Sequence, residues 1–274
     1  MSMNKERKIE LEKMCNQFRI DVLTAIHAKQ TGHPGGSLSV CEILTVLMQE
    51  YMNVPSYEDS DRDRLVLSKG HAAPMLYRNL VERGVLAANA MDTLRDFGSL
   101  LQGHPSMHTP GVEIPSGPLG IGLGAAQGMA LGLKMNKSTA RCYAVLGDGE
   151  INEGTIWETA MSAVKFKLDN LCAILDHNKV QLDGTTDEIM PEGDLAAKWK
   201  SFGWNVISCC GHDVEALYNA LEEAEKVKDM PTIIIAETIK GKGVSFMEGK
   251  SEWHGKAIDD EHFNIAMKEL GGAC

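Results

Sequence analysis

The stretch Arg141 to Gly184, RCYAVLGDGEINEGTIWETAMSAVKFKLDNLCAILDHNKVQLDG, constrains the fold more than any other part of the chain. An apolar run from Tyr143 to Leu146 breaks at Gly147-Asp148-Gly149 and passes into a helical pattern from about Glu153 to Phe166. A second apolar run, Leu171 to Leu175, ends in the polar cluster Asp176-His177-Asn178. Parallel strands joined by one helix usually lie side by side through a right-handed crossover, so both C-terminal tips open on one edge of the sheet. Asp148 and Asn178 are therefore expected to meet, in an α/β fold with helices on both faces of a mainly parallel, doubly wound sheet.

The chemistry follows from those two side chains. A carboxylate and an amide oxygen are hard ligands suited to Mg²⁺, which keeps positions open for phosphate oxygens. A helix beginning after Gly149 would aim free N–H groups into the same crevice, where an anion is favoured. Together they predict a diphosphate held through a metal. Gly-Asp-Gly after a strand is also an ordinary tight turn, and alone it favours that plainer reading. A nicotinamide site is the sharper rival, but its fingerprint needs a third glycine where Asn152 stands. Asp148 would also repel an unscreened diphosphate.

Net charge narrows the partners. At −11, the chain lacks the basic balance expected of a nucleic-acid surface or of binding to anionic membranes. Seven cysteines with no C-x-x-C pattern give neither a disulfide framework nor a zinc motif, which points to a reducing compartment. The N-terminal MSMNKERKIELEKM reads as charged helix rather than signal peptide, and no run of eighteen apolar residues occurs. A soluble, cytoplasmic protein is expected.

Along the chain, Lys5 to Lys29 reads as an amphipathic helix that stops at Thr31-Gly32-His33-Pro34-Gly35-Gly36, with a second helix over Ser39 to Tyr51. A short strand, Leu65 to Leu67, leads into Ser68-Lys69-Gly70-His71, followed by helices over Ala72 to Glu82 and Ala90 to Phe97. The turn-rich stretch Gly98 to Gly120 holds Gly103-His104-Pro105 and Gly117-Pro118-Leu119. From Leu119 a helix carries Gly120, Gly124, Gly128 and Gly132 at four-residue intervals. Each glycine costs roughly 1 kcal/mol against alanine, so close approach of another backbone is expected, within the domain or at a subunit interface. Further elements are a helix over Leu195 to Phe202, a strand over Trp204 to Ser208, a helix over Val214 to Val227, a strand over Thr232 to Ala236 and a closing helix over Asp259 to Glu269. Lys240 and Lys242 read as anion-binding or as surface lysines.

The run GDG, then EG, then a helix, then DHNKVQLDG resembles the thiamine diphosphate motif, and its flanks, GHPG, DRDRLVLSKGH, GPLG and WHG, resemble the transketolase family. The resemblance covers nearly the whole chain. It implies that Asp148, Asn178 and the carbonyl of Val180 bind Mg²⁺, and that Gly147, Gly149, Glu150 and Asn178 surround the diphosphate. By the same resemblance His71 and His254 reach the diphosphate, His33, His104 and His254 contact substrate, and Gly117, Pro118 and Leu119 lie beside the aminopyrimidine ring. Glu153, with Glu158, maps onto an acidic network joining two active sites.

A whole transketolase continues into a second domain that stacks the aminopyrimidine, and no segment here resembles it. The resemblance therefore implies that residues 1–274 are one diphosphate-binding (PP) domain. It would serve as the N-terminal subunit of a split transketolase, with the pyrimidine-binding and C-terminal domains on a partner chain in an α₂β₂ assembly. The expected reaction moves a two-carbon ketol unit from a ketose phosphate to an aldose, in pentose phosphate-type carbohydrate metabolism. Alternatives are another thiamine diphosphate enzyme, such as a 1-deoxyxylulose-5-phosphate synthase or a 2-oxo acid dehydrogenase subunit, and a non-catalytic scaffold that keeps the fold.

Overall fold

The computed structural model describes residues 3–272. The chain begins with helix α1 (Lys5–Lys29), then α2 (Pro34–Ser39) and α3 (Cys41–Val46), the last running into a π turn over Leu47–Tyr51. Strand β1 (Arg64–Leu67), helix α4 (Ala73–Glu82) and helix α5 (Ile121–Met135) follow. Next come β2 (Cys142–Gly147), α6 (Gly154–Lys165), β3 (Leu171–His177), the short α7 (Thr186–Ile189) and α8 (Leu195–Ser201). The last elements are β4 (Asn205–Cys210), α9 (Val214–Lys226), β5 (Thr232–Glu237) and α10 (Asp260–Leu270).

The five strands form one parallel sheet in the order β1-β2-β3-β5-β4. Alternate residues of the central strands serve opposite faces, as the two-residue period of a strand requires. Tyr143, Val145, Cys172, Ile174 and Ile234 pack beneath α1, α3, α4, α9 and α10, whereas Ala144, Leu146, Ala173, Leu175 and Ile233 pack beneath α5, α6 and α8. The three-layer α/β/α class expected from the sequence is the observed one. In register, Gly147 pairs with Asp176 and His177 with Glu237, so β2, β3 and β5 end together at one edge. No helix among the described residues is long and apolar enough to cross a membrane.

Several boundaries differ from the expected ones. Pro34 starts a helix instead of stopping one, because at the first helical position its missing N–H costs nothing and its fixed φ suits the helix. The helix expected over Ser39 to Tyr51 is thereby split into α2, α3 and the π turn. The helix expected over Ala90 to Phe97 is only a 3₁₀ turn, Ala90–Thr93. Arg95 has left-handed φ, 61°, and its guanidinium donates to Thr31 Oγ1, a long-range bond that local propensity cannot show. Between Gly149 and α6 lies a 3₁₀ turn, Gly149–Asn152, so the N-terminus of α6 is set back from the Asp148 turn.

The glycine series on α5 divides in two. Gly120 has φ 86° and caps the helix, while a Cβ on Gly122, outside the four-residue series, would lie 2.5 Å from Ser68 Cβ and 2.7 Å from its Cα. Gly128 and Gly132 meet nothing within 4 Å. Backbone approach within the chain thus explains the N-terminal end of α5 and not the middle. Gly122→Ala is expected to lower stability by about 2 kcal/mol, and Gly128→Ala to raise it by up to about 1 kcal/mol, in denaturant unfolding of the isolated chain. Equal effects of the two would contradict this packing.

Candidate functional site

A cleft of about 310 Å³ opens at the C-terminal edge of the sheet. Its walls come from five separate segments: His33 and Gly36 before and in α2, Lys69 and His71 after β1, His104, Gly117 and Leu119 from the long loop, Gly147 to Glu150 after β2, and Asn178 to Leu182 after β3. Lys240 and His254 close it from the loop after β5. Strand ends of a parallel sheet are where such a fold leaves a crevice.

Asp148 ties two strand tips together. Its Oδ2 accepts the backbone N–H of Asn178 (2.9 Å) and of Lys179 (2.6 Å). Its Oδ1 is buried and has no partner. Asn178 Oδ1 accepts from Val180 N at 3.2 Å, and the Val180 carbonyl lies 3.5 Å from Lys240 Nζ. Burial, reinforced by the charge of Glu192, pushes the Asp148 carboxyl up to about 7. An orphaned, buried carboxylate oxygen, with the Asn178 amide and Val180 lining the same cleft, offers the hard-oxygen chemistry that suits a small divalent cation.

Below the cleft lies a buried ion pair that the sequence reading missed. Lys69 (2% exposed) bonds Asp176 (0% exposed), which also accepts from Ser39 Oγ at 2.6 Å and from Thr238 Oγ1. Burial raises the Asp176 carboxyl, but the neighbouring Lys69 charge and these bonds outweigh it and hold the group below its usual range. Asp176 thus fixes a lysine that lines the cleft. Lys240, also 2% exposed, bonds the carbonyl of Gln181 at 3.0 Å and His254 Nδ1 at 2.9 Å. Burial, with Lys69 nearby, lowers it to about 8. Lys242 instead pairs with Glu248 at 3.3 Å on the surface, so only one of the two candidate lysines faces the cleft.

Four histidines, from four separate segments, gather at the mouth. His33 lies 5.6, 5.7 and 5.5 Å, ring centre to ring centre, from His71, His104 and His254, and His71 lies 4.8 Å from His254. Burial and nearby cations lower all four, His33 to about 4 and His254 to about 3. They are neutral at pH 7, so a ring can donate one hydrogen bond and accept another, except that His254 Nδ1 already accepts from Lys240 and leaves only the Nε2 donor. Such a group suits hydroxyl and carbonyl oxygens better than a fixed cation would. A Cβ at Gly36 would come within 2.9 Å of His71 Nε2, which is why glycine stands there.

The remaining predicted residues divide. Glu150 borders the cleft, but its carboxylate is occupied by Ser68 Oγ, Gly120 N (2.9 Å) and Gly147 N (3.2 Å), which makes it a staple between three segments. Gly117 and Leu119 line the cleft, with Pro118 exposed between them. Glu153 and Glu158 are exposed on α6 and its cap, outside the cleft wall.

Residues 11–273 match the family described as transketolase, thiamine diphosphate binding domain. The chain belongs to the transketolase family. A 6-deoxy-6-sulfo-D-fructose transketolase subunit of Clostridium sp. (strain MSTE9) is 42% identical over 268 residues, covering 97% of this chain and 98% of that protein. An apulose-4-phosphate transketolase subunit of Phocaeicola vulgatus is 38% identical, covering 96% and 93%. Human transketolase is 42% identical over 266 residues, but the match spans 42% of its length. Among solved structures, transketolase from Campylobacter jejuni superposes with a TM-score of 0.91 at 32% identity, over 98% of this chain and 43% of that one. This transketolase-family chain therefore matches subunit-sized relatives end to end and full-length ones over less than half.

The raised Asp148 group carries a stability cost with a defined sign. Its folded value, about 7, exceeds the ordinary 3.8, so its contribution is present at low pH and is lost as pH rises through 7. With cations chelated, Asp148→Asn is expected to be more stable than wild type at pH 8 by on the order of 2 kcal/mol, and no more stable at pH 4. Thermal melts across that range check it, and a variant less stable at pH 8 would contradict it.

Proposed function

We propose that the chain is the N-terminal, diphosphate-binding subunit of a two-subunit transketolase. It would move a two-carbon ketol unit from a ketose phosphate or related ketose to an aldose acceptor. The observation that carries this reading is the unpartnered Asp148 Oδ1, in a residue that shares its cleft with Asn178, Val180 and four histidines. Thiamine diphosphate, when bound, supplies the acidic ring carbon and the electron sink that ketol transfer needs.

This chain's residues do the holding. Asp148 Oδ1, Asn178 Oδ1 and the Val180 carbonyl would take Mg²⁺, and the diphosphate would meet that ion, the Gly149 backbone, Lys240 and His71. Lys69, neutralised by Asp176, adds donors without adding net charge to the floor. Gly117 to Leu119 would offer backbone to the aminopyrimidine ring. His33, His104 and His254 would orient substrate hydroxyls through neutral rings and exchange protons with the substrate's oxygens. No residue of the cleft is placed to set the protonation of the aminopyrimidine, and general acid–base catalysis needs such a partner in position.

That role is assigned to a second chain. The relatives matched end to end are named as transketolase subunits, which supports a partner carrying the pyrimidine-binding domain. The exposed face of α5 and α6, with Ile121 55% and Met161 56% exposed around the open Gly128, supports burial of that face in an α₂β₂ assembly. Glu153 and Glu158 on the same side would then meet across the interface.

The experiment is reconstitution. The chain alone is expected to show no ketol transfer. Mixed with its partner chain it is expected to transfer a two-carbon unit from at least one donor in a panel of ordinary, branched and sulfonated ketoses, with dependence on thiamine diphosphate and Mg²⁺. Ketol transfer by the chain alone, or decarboxylation of 2-oxo acids by the pair in place of ketol transfer, would overturn the proposal.

A further inference from the structure

We propose that Asp148, His177 and Glu192 form a second divalent-cation site, for zinc or a similar first-row transition metal, that competes with the cofactor's own cation for Asp148. One oxygen of each carboxylate and one imidazole nitrogen lie within 4.8 Å of one another. Asp148 (2% exposed) and Glu192 (5% exposed) each keep one buried oxygen, Oδ1 and Oε1, that accepts no hydrogen bond. Two adjacent buried carboxylates are costly unless a positive charge joins them. His177 already supplies one, since burial lowers its ring but Glu192, Asp148 and Glu237 outweigh that and raise it to about 9. The two orphaned oxygens stay open to a cation that takes the place of its proton.

The histidine is arranged as metal-binding histidines are. Its Nδ1 lies 2.7 Å from Glu237 Oε1, and its Nε2 faces Glu192 Oε2 at 3.1 Å. A carboxylate behind Nδ1 is the support that metal-binding histidines use; Nε2 is paired with Glu192 here, so a metal would take the place of the proton between them. Lys179 Nζ, 2.9 Å from Glu237 Oε2, holds that carboxylate in turn. His177 occupies the last position of β3 and Glu237 the last of β5, paired in register, so the sheet itself aligns them.

Donor chemistry distinguishes this set from the Asn178 side. An imidazole with two carboxylates suits zinc and its neighbours, whereas Mg²⁺ takes oxygen ligands. Tetrahedral zinc with bonds of about 2.0 Å needs ligand atoms about 3.3 Å apart, so the three groups must draw together on binding. Glu192 can supply that movement because it sits in the loop between α7 and α8. Metal entry displaces the proton that His177 shares with the carboxylates, and binding releases it to solvent.

Competition follows from the oxygen count. Asp148 Oδ2 already accepts two backbone N–H groups, which leaves Oδ1 as the one oxygen that both cations would draw on. A metal on His177 and Glu192 would strip the Asn178 side of its carboxylate and lower cofactor loading. This consequence rests on the function proposed above; the transition-metal site itself does not.

The test uses the chain paired with its partner, with Mg²⁺ in excess and zinc chloride as the probe. Calorimetry and metal analysis after gel filtration are expected to find about one Zn²⁺ per chain in wild type. The affinity should fall at least about tenfold in Glu237→Gln, and further in His177→Gln and Glu192→Gln; far-ultraviolet circular dichroism and melting curves identify any variant that fails to fold. Zinc should also raise the apparent Kd of thiamine diphosphate in wild type and not in His177→Gln. Equal zinc uptake by wild type and the three variants, or none by wild type, would overturn the site. Zinc uptake that depends on His177 but leaves thiamine diphosphate binding unchanged would overturn the competition alone. Failure of thiamine diphosphate to bind under any cation, with zinc uptake intact, would instead remove the proposed function and leave the site standing.

Discussion

Everything at the sheet edge depends on how Asp148 divides its carboxylate. Oδ2 is engaged inside the protein, clamping the turn after β3 to the turn after β2 through two backbone N–H groups. Oδ1 is left buried and free. The clamp gives the site its rigidity and the orphan gives it its chemistry. A carboxylate tied in this way cannot swing away to find water, so the cost of burial remains in the carboxyl's raised proton affinity until a cation relieves it.

The surroundings answer that cost with charge that is present but restrained. Lys69 is balanced by Asp176, and Lys240 is anchored to backbone carbonyls and to His254. Burial holds the histidines neutral, helped by Lys69 and Lys240 at His71 and His254, by Arg95 and Lys240 at His33, and by Arg95 at His104. An anionic ligand would therefore meet a few directed donors, and hydroxyl oxygens would meet uncharged rings. Four segments far apart in sequence bring those rings together at the edge where β2, β3 and β5 end side by side.

Much of this was legible in the sequence. The strand, helix, strand pattern from Arg141 to Gly184 fixed the edge on which Asp148 and Asn178 meet, because apolar runs bounded by glycine and polar clusters leave few other readings. Glycine and proline neighbours marked loops around His33 and His104, but it was the resemblance to transketolase that singled out His33, His71, His104 and His254. What stayed hidden depended on distant partners. Lys69 and Asp176 are 107 residues apart, and nothing local marks their pairing. Glu192 lies in an ordinary Met-Pro-Glu-Gly loop, and its approach to His177 and Asp148 is a product of the fold alone. The α5 glycines were read as one series, though the tightest approach is Gly122 against Ser68.

The central claim is that two strand tips grip one divalent cation and, through it, a diphosphate. Mn²⁺ in place of Mg²⁺ tests it most directly, by electron–nuclear hyperfine spectroscopy of the chain paired with its partner and saturated with thiamine diphosphate. One bound Mn²⁺ per chain with coupling to cofactor phosphorus, lost in Asp148→Ala, is the predicted result. Tight cofactor binding without any divalent ion, or an unchanged Mn²⁺ signal in Asp148→Ala, would contradict it.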